Sequence, residues 1–308
     1  MQSAQRPGVG VVIATHNRPQ LVRRALDSVL GQDYPGPIEV ALVFDRSEPD
    51  HSFAQSAAGR SVRVLANTRT PGLAGARNTG ILSLDTDLVG FCDDDDIWLD
   101  GKLTTQVERL LRAPESGFVT TAMRVDYGEQ QTVRLAGQEQ VTVTDLARSR
   151  MSMLHSSSFL FRRSAMVGPD GFGLVDETLP RSMAEDWDLL LRAARAHPIE
   201  HVDEPLVAVL WGQTSYFNDA WADKNAAHLW LMEHHPEIRQ DRRARGLMLG
   251  KLAFGYAALG DRAAALRSAR GAVRANWREP RTPIAMLVVA GVPPQRILTA
   301  LNRRGHGI

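Results

Sequence analysis

Asp87-Leu88-Val89-Gly90-Phe91-Cys92-Asp93-Asp94-Asp95-Asp96 is the stretch on which the fold turns. From Leu88 to Cys92 the run is apolar without polar alternation, the pattern of a strand covered on both faces. It passes directly into four aspartates. Adjacent carboxylates repel one another, so gathering them at a strand end costs stability unless a cation or hydrogen-bond donors compensate.

Working outward, the same architecture repeats. Val9 to Ala14 is a second continuous apolar run. Pro19 then opens a helix at a position that tolerates proline. Leu21, Val22, Ala25, Leu26, Val29 and Leu30 share one face of that helix, and Gly31 ends it. Ile38 to Phe44 reads as a strand stopping at Asp45, and Val62 to Leu65 as another. Gly72 to Asn78 leads into a short helix reaching about Leu84. Strands alternating with helices predict an α/β fold with a mostly parallel sheet flanked by helices. Ligands collect outside the carboxyl ends of such strands, where Asp45 and the four aspartates both fall.

Gly117 to Arg163 is strand-rich and less regular, with Gly128 and Gly137 as turn points. Ala184 to Ala196 reads as a helix with Leu189, Leu190 and Ala193 inward, and Pro205 to Trp211 as a further strand. From Asp219 the chain reads as helical, with Leu252 to Asn276 a helix pair hinged at Gly260-Asp261. A boundary near Tyr216 to Trp221 divides an α/β domain, residues 1–216, from a C-terminal helical appendage, residues 217–308.

The bulk numbers set limits. A chain of 308 residues suits one large domain with a smaller appendage, and 44% hydrophobic residues suffice for its core. A formal net charge of +1 gives no argument for nucleic acid. Beyond Arg239 many arginines face only Asp241, Asp261 and Glu279, and a solvated helical face is the simplest reading of that excess. The sole cysteine, Cys92, excludes an intrachain disulfide. Met1 to Gly10 lacks the pattern of a signal peptide, and no apolar run approaches the ~20 residues of a membrane span. The expectation is a cytoplasmic protein whose appendage holds the acceptor, homodimerises or rests on a membrane through its arginines, with no choice among these from the sequence.

Hard divalent ions such as Mg²⁺ bind oxygen ligands, usually one or two carboxylates plus substrate phosphates. An Asp-x-Asp spacing lets two side chains approach one ion, although a solvated acidic turn capping the next helix is as good a reading of these residues alone. The apolar strand followed by acid would also suit a nucleotide-triphosphate site. No G-x-x-x-x-G-K-[ST] loop exists to support that.

Six segments, in order, carry a family resemblance. Val11-Val12-Ile13-Ala14-Thr15-His16-Asn17-Arg18 closely resembles the opening of the family 2 glycosyltransferases, which have the GT-A fold. Leu42-Val43-Phe44-Asp45-Arg46-Ser47 resembles their second strand, Gly75-Ala76-Arg77-Asn78-Thr79-Gly80 their central element, and Val89 to Trp98 their Asp-x-Asp segment. Ser157 to Arg163 and Glu185-Asp186-Trp187-Asp188-Leu189 are similar to their acceptor-side elements. The resemblance implies a metal-dependent, inverting transfer of a sugar from a nucleotide-diphosphate donor to an acceptor hydroxyl. The acceptor class is carbohydrate, lipid-linked or small-molecule, with no nucleic acid partner.

The resemblance also implies roles. Thr15 and Asn17 would sit beside the nucleotide, and Asp45 would accept a hydrogen bond from the base. Asp93 and Asp95 would frame a divalent cation, Mg²⁺ or Mn²⁺, and the donor diphosphate, with Asp95 the direct ligand and Asp94 a donor-binding residue between them. Arg77 would lie near the nucleotide or serve as a scaffold arginine paired to an acid. Asp186 matches the base of inverting members, which takes the acceptor proton late in the attack on the anomeric carbon. Phe44 and Arg46 depart from the family's second-strand pattern. Trp98, Trp187 and Trp211 read first as core and second as sugar-stacking rings, and His155 and His201 as structural. Where many relatives carry a histidine after the late strand, Trp211-Gly212-Gln213 stands, so no histidine is assigned to the metal. A sugar nucleotidyltransferase and a non-catalytic nucleotide- or carbohydrate-binding module are the alternatives.

Overall fold

A computed structural model of the chain describes residues 6–211 and 220–302. They fall into two compact units. The first comprises Met1–Thr142, Met151–Glu177 and Glu185–Gly212; the second comprises Val143–Arg150, Thr178–Ala184 and Gln213–Ile308. The boundary expected at 216/217 lies outside the described residues.

The first unit is built on an eleven-stranded mixed sheet. Its strands are β1 (Val9–Thr15), β2 (Ile38–Phe44), β3 (Gln55–Ala57), β4 (Arg60–Ala66), β5 (Leu88–Phe91), β6 (Ile97–Trp98), β7 (Phe118–Tyr127), β8 (Gln130–Arg134), β9 (Gln140–Val141), β10 (Leu160–Arg162) and β11 (Ile199–Leu210). Along the sheet the order is β3-β4-β2-β1-β5-β10-β7-β11-β6, with β8 on β7 and β9 on β11. The core β4-β2-β1-β5 is parallel throughout, as the unbroken apolar runs predict. β10 enters antiparallel between β5 and β7, and β7 and β11 pair in parallel. Helices α1 (Pro19–Leu30), α2 (Leu73–Ser83), α3 (Lys102–Arg112), α5 (Arg163–Val167) and α6 (Glu185–Ala196) belong to this unit, while α4 (Val143–Arg148) belongs to the second.

The core follows the periodicity. Val22, Ala25, Leu26 and Val29 of α1 pack with Val9, Val11, Ile13, Val40 and Leu42 of the sheet. α2 differs, because Ala74 to Ile81 are buried on every side. Its glycines explain how: a Cβ on Gly80 would lie 2.4 Å from Val12 Cγ1, and one on Gly75 would strike the Thr70 carbonyl.

Some elements are longer than the sequence suggests. β11 begins at Ile199, not Pro205, because Pro205 is accommodated at an irregularity where the register to β7 shifts twice. The short edge strand β3 pairs with β4 and escapes any hydrophobic pattern, all three of its residues being exposed.

In the second unit α7 (Trp221–His234), α8 (Pro236–Gln240), α9 (Arg242–Ala258), α10 (Arg262–Ala275), α11 (Arg281–Val289) and α12 (Pro294–Asn302) follow one another. Asp241 and Asp261 cap α9 and α10 by accepting from the backbone N–H groups of Ala244 and Ala264, each at 2.9 Å. Gly260, at φ +81°, makes the expected hinge, but the helix pair starts at Arg242, ten residues before Leu252. Among the described residues no helix is long and apolar enough to cross a membrane.

Candidate active site

In the parallel register Thr15 of β1 lies opposite Phe44 of β2, and Val12 opposite Phe91 of β5. The segments that leave these strands therefore meet at one end of the sheet. Asn17 and Arg46 both take left-handed backbone there, at φ +54° and +50°. That conformation is uncommon outside glycine and recurs at functional sites. His16 Nδ1 lies 2.8 Å from the Asp45 carbonyl oxygen, tying the first two segments together.

The four aspartates alternate. Asp94 and Asp96 turn inward: Asp94 accepts from Thr15 Oγ1 at 2.8 Å, and Asp96 accepts from Ser157 Oγ at 2.5 Å. Asp93 and Asp95 keep more contact with solvent, their side chains 24% and 33% exposed against 9% and 2% for Asp94 and Asp96. Arg18 Nη1 reaches across to Asp94 at 3.1 Å and Asp95 at 2.9 Å. Burial, then the charges of Asp96, Asp93 and Asp94, lift Asp95 to a pKa of about 7 against the opposing pull of Arg18. Such crowding favours a cation.

Behind Asp93 stands a buried arginine. Arg77 donates through Nη2 to Asp93 at 2.6 Å and through Nη1 to Glu185 at 2.5 Å, and its guanidinium lies 4.9 Å from the Phe91 ring centre. Arg77 is thus paired to two acids at once. Burial alone would raise Asp93, but Arg77, His155 and Ser156 hold its carboxyl below the ordinary value. Glu185 moves upward, through burial and the adjacent Asp186.

His155 joins this group. Its Nδ1 is 3.2 Å from an Asp96 oxygen, and donor atoms of Asp93, Asp96 and His155 all lie within 4.8 Å of one another. Burial would lower its pKa; Asp96, Asp93 and Asp186 outweigh that and raise it to about 9. Two carboxylates and an imidazole at these separations fit a divalent ion of the Mg²⁺ or Mn²⁺ kind. His155, expected from the sequence to be structural, gives no signal there because a lone histidine carries none until folding brings Asp96 beside it. His201 does prove buried and structural, its ring between Thr120 and Asp203.

Asp186 sits in the first turn of α6, half-buried, with its Oδ1 accepting from the Trp187 N–H at 2.6 Å. Its charge contributes to the shifts of His155, Arg77 and Glu185, so it belongs to the same electrostatic neighbourhood. Asp45 accepts from Asn67 at 2.8 Å, from the Gly72 N–H at 3.0 Å and from Arg46 at 2.9 Å. Burial opposes ionisation there, but these donors prevail and hold its carboxyl below the ordinary value. Trp98 and Trp187 are buried core, not sugar platforms, and Trp211 is half-buried beneath Arg134.

A cavity of about 190 Å³ opens at this end of the sheet, lined by Thr15, Asn17, Arg18, Phe44, Asp50 and Phe53 among others. Asp50 and Phe53 carried no sequence signal. A larger hollow of about 690 Å³ lies at the opposite, amino end of the strands, around Gly8, Pro37 and Asp87, and contains none of the motif residues.

Residues 10–167 match the model of glycosyl transferase family 2, slightly more than half of the chain. The chain belongs to that family. Among its relatives are the Escherichia coli UDP-Glc:alpha-D-GlcNAc-diphosphoundecaprenol beta-1,3-glucosyltransferase WfgD, 27% identical over 104 residues, or 34% of this chain and 41% of that protein. An uncharacterised glycosyltransferase of Rickettsia felis is 25% identical over 213 residues, covering 65% of this chain and 33% of that one. The matches thus span about a third to two-fifths of these relatives' length. The fold is shared with Staphylococcus aureus TarS 1–349 in complex with UDP, at a TM-score of 0.60 and 16% identity over 97% of this chain and 92% of that one. It is shared too with the Pyrobaculum calidifontis mannosyltransferase PcManGT in complex with GDP-Man and Mn²⁺, at a TM-score of 0.53 and 19% identity over 97% and 80%. The family's GT-A-like architecture, a largely parallel core with helices on it and a C-terminal helical extension, is the architecture found here.

Proposed function

We propose that this family 2 protein transfers a sugar from a nucleotide-diphosphate donor to an acceptor hydroxyl with inversion at the anomeric carbon, using a divalent cation. The observation that carries the reading is the alternation at 93–96. It leaves Asp93 and Asp95 the more accessible carboxylates after β5, with His155 close to Asp93 and Asp96, while Thr15 and Asn17 line a cavity at the same end of the sheet. The UDP of the TarS complex and the GDP-Man and Mn²⁺ of the PcManGT complex support the same class of donor and ion.

In this reading Asp93 and Asp95 hold the cation, with His155 and Asp96 as the wall behind it. The bound ion supplies charge stabilisation for the departing diphosphate. Thr15, Asn17 and Asp45 border the nucleotide, Phe44 and Phe53 give its base an apolar wall, and Asp94 keeps Thr15 and Arg18 in place. Arg77 fixes Asp93 and Glu185. Asp186 accepts the acceptor's proton as the new bond forms, a role requiring a carboxylate on the face opposite the leaving group. Residues 1–216 are assigned to the transferase domain, although 143–150 and 178–184 cluster with the second unit. The helical appendage, 217–308, serves as a contact surface, towards a membrane or a second copy. The WfgD acceptor, a diphosphoundecaprenol-linked sugar, supports a lipid-linked acceptor among the candidate classes.

The test is turnover of a panel of UDP- and GDP-sugars with Mn²⁺, followed by NMR of the product anomer. An inverted product supports the reading. Donor binding without turnover over broad acceptor panels favours a binding module instead.

A further inference from the structure

α10 is packed inside out. Its buried face consists of Ala264, Ala265, Ala269, Ala272 and Ala275, while its larger apolar side chains point to solvent. Leu266 is 37% exposed, Val273 48%, and Trp277, just beyond the helix, 73%. At 100° per residue Leu266 and Val273 fall on one stripe of α10, and the exposed Trp277 follows two residues beyond its last turn. Arg262 borders it on one side and Arg267, Arg270 and Arg274 on the other, all four exposed. Arg278 lies over the Trp277 ring at 4.7 Å. Between Asp261 and Glu279 the chain has five arginines and no acid. Asp261 is the helix cap, and Glu279 is buried against Arg281 at 2.7 Å. Among the described residues none of the five arginines makes an ion pair.

We propose that this outward face of α10 docks on an anionic lipid bilayer. Headgroup phosphates meet the arginines, while Leu266, Val273 and Trp277 enter the boundary between headgroups and acyl chains. A basic, amphipathic helix with an interfacial tryptophan is suited to that environment. A second copy of the chain fits less well, because a two-fold contact through this face would set arginines against arginines with no acid to answer them. A nucleic acid backbone would satisfy the arginines but leave the apolar stripe uncovered. The proposal deepens the reading of the helical unit as a contact surface and rests on that part alone, not on glycosyl transfer.

The experiment is co-sedimentation of the full chain with vesicles of phosphatidylcholine containing phosphatidylglycerol and with vesicles of phosphatidylcholine alone. The anionic vesicles should retain at least about tenfold more protein, and added salt should weaken the binding. The exposed-site variant Leu266→Ser/Val273→Ser should lower vesicle binding about tenfold at an unchanged melting temperature. Arg267→Gln/Arg270→Gln/Arg274→Gln should lose the preference for anionic lipid. Equal retention by both vesicle types, or variants that bind like the wild type, would overturn the proposal. So would a conversion from dimer to monomer by Leu266→Ser/Val273→Ser, or binding to duplex DNA at lower protein concentration than to vesicles. Sugar-nucleotide hydrolysis in vesicle-free solution should be the same for wild type and both variants. Its absence from the wild type would count against the transferase reading and leave lipid docking standing.

Discussion

Asp93 and Glu185 share one guanidinium: Arg77, buried between them, donates to the first at 2.6 Å and to the second at 2.5 Å. A single cation thus links the acidic segment after β5 to the first turn of α6, where Asp186 follows Glu185. Truncating the shared partner would leave two acids uncompensated. Arg77→Met should therefore cost about 3–5 kcal/mol of stability in denaturant unfolding. Arg77→Met/Glu185→Leu, which removes one of the stranded acids, should recover part of that loss.

Asp186 lies beside this pair without belonging to it. Asp186→Asn keeps the shape and the hydrogen bond from the Trp187 N–H but cannot take up a proton. Transfer should fall by about 10²–10⁴-fold. Binding of the sugar nucleotide with Mn²⁺, measured by calorimetry, should stay within about twofold. Parallel loss of both would assign Asp186 to donor binding instead.

Glu177 offers a test by pH. It accepts from Asn78 at 2.6 Å, from the Thr70 N–H at 3.2 Å and from Arg69 at 2.5 Å. Burial opposes its ionisation, but these donors hold its pKa down to about 2. A carboxyl depressed on folding stabilises fully above its unfolded pKa, about 4.3, and loses that contribution as pH falls through the folded value. Glu177→Gln should thus cost about 1–3 kcal/mol at neutral pH, and the difference from wild type should shrink towards zero near the folded pKa. A difference constant with pH would point to packing, not charge.

Gly80 permits the close approach of α2 to β1. Because an added Cβ would lie 2.4 Å from Val12 Cγ1, Gly80→Ala should destabilise by about 1–3 kcal/mol. Val12→Ala in the same chain should relieve much of the overlap, which a thermal unfolding cycle would detect as non-additivity.

The parallel core was legible in the sequence because buried strands write themselves as apolar runs. Val9 to Ala14, Ile38 to Phe44 and the run into Asp93 each needed only local reading. β10 was not legible in that way: three residues, Leu160–Arg162, take their place from neighbours 41 to 74 positions away. The site divides likewise. Asp93 to Asp96 announce themselves by adjacency, whereas His155, Glu185 and Glu177 become partners of the motif residues only through contacts 59 to 108 positions apart. Arg77 shows the remaining difficulty, since its place in a family-like segment does not say whether an arginine faces a nucleotide or an acid. Its two carboxylate partners, 16 and 108 positions away, come from folding alone.

The central claim is that Asp93 and Asp95 hold a cation which in turn holds a diphosphate. Donor affinity of the wild type and of Asp95→Ala, with Mn²⁺ and with chelator, measures this directly by thermal shift. A donor at about 100 times its dissociation constant should add about 2.7 kcal/mol to the wild type with Mn²⁺. Chelator or Asp95→Ala should remove most of that gain. Equal shifts with and without Mn²⁺, the same in both proteins, would contradict the account.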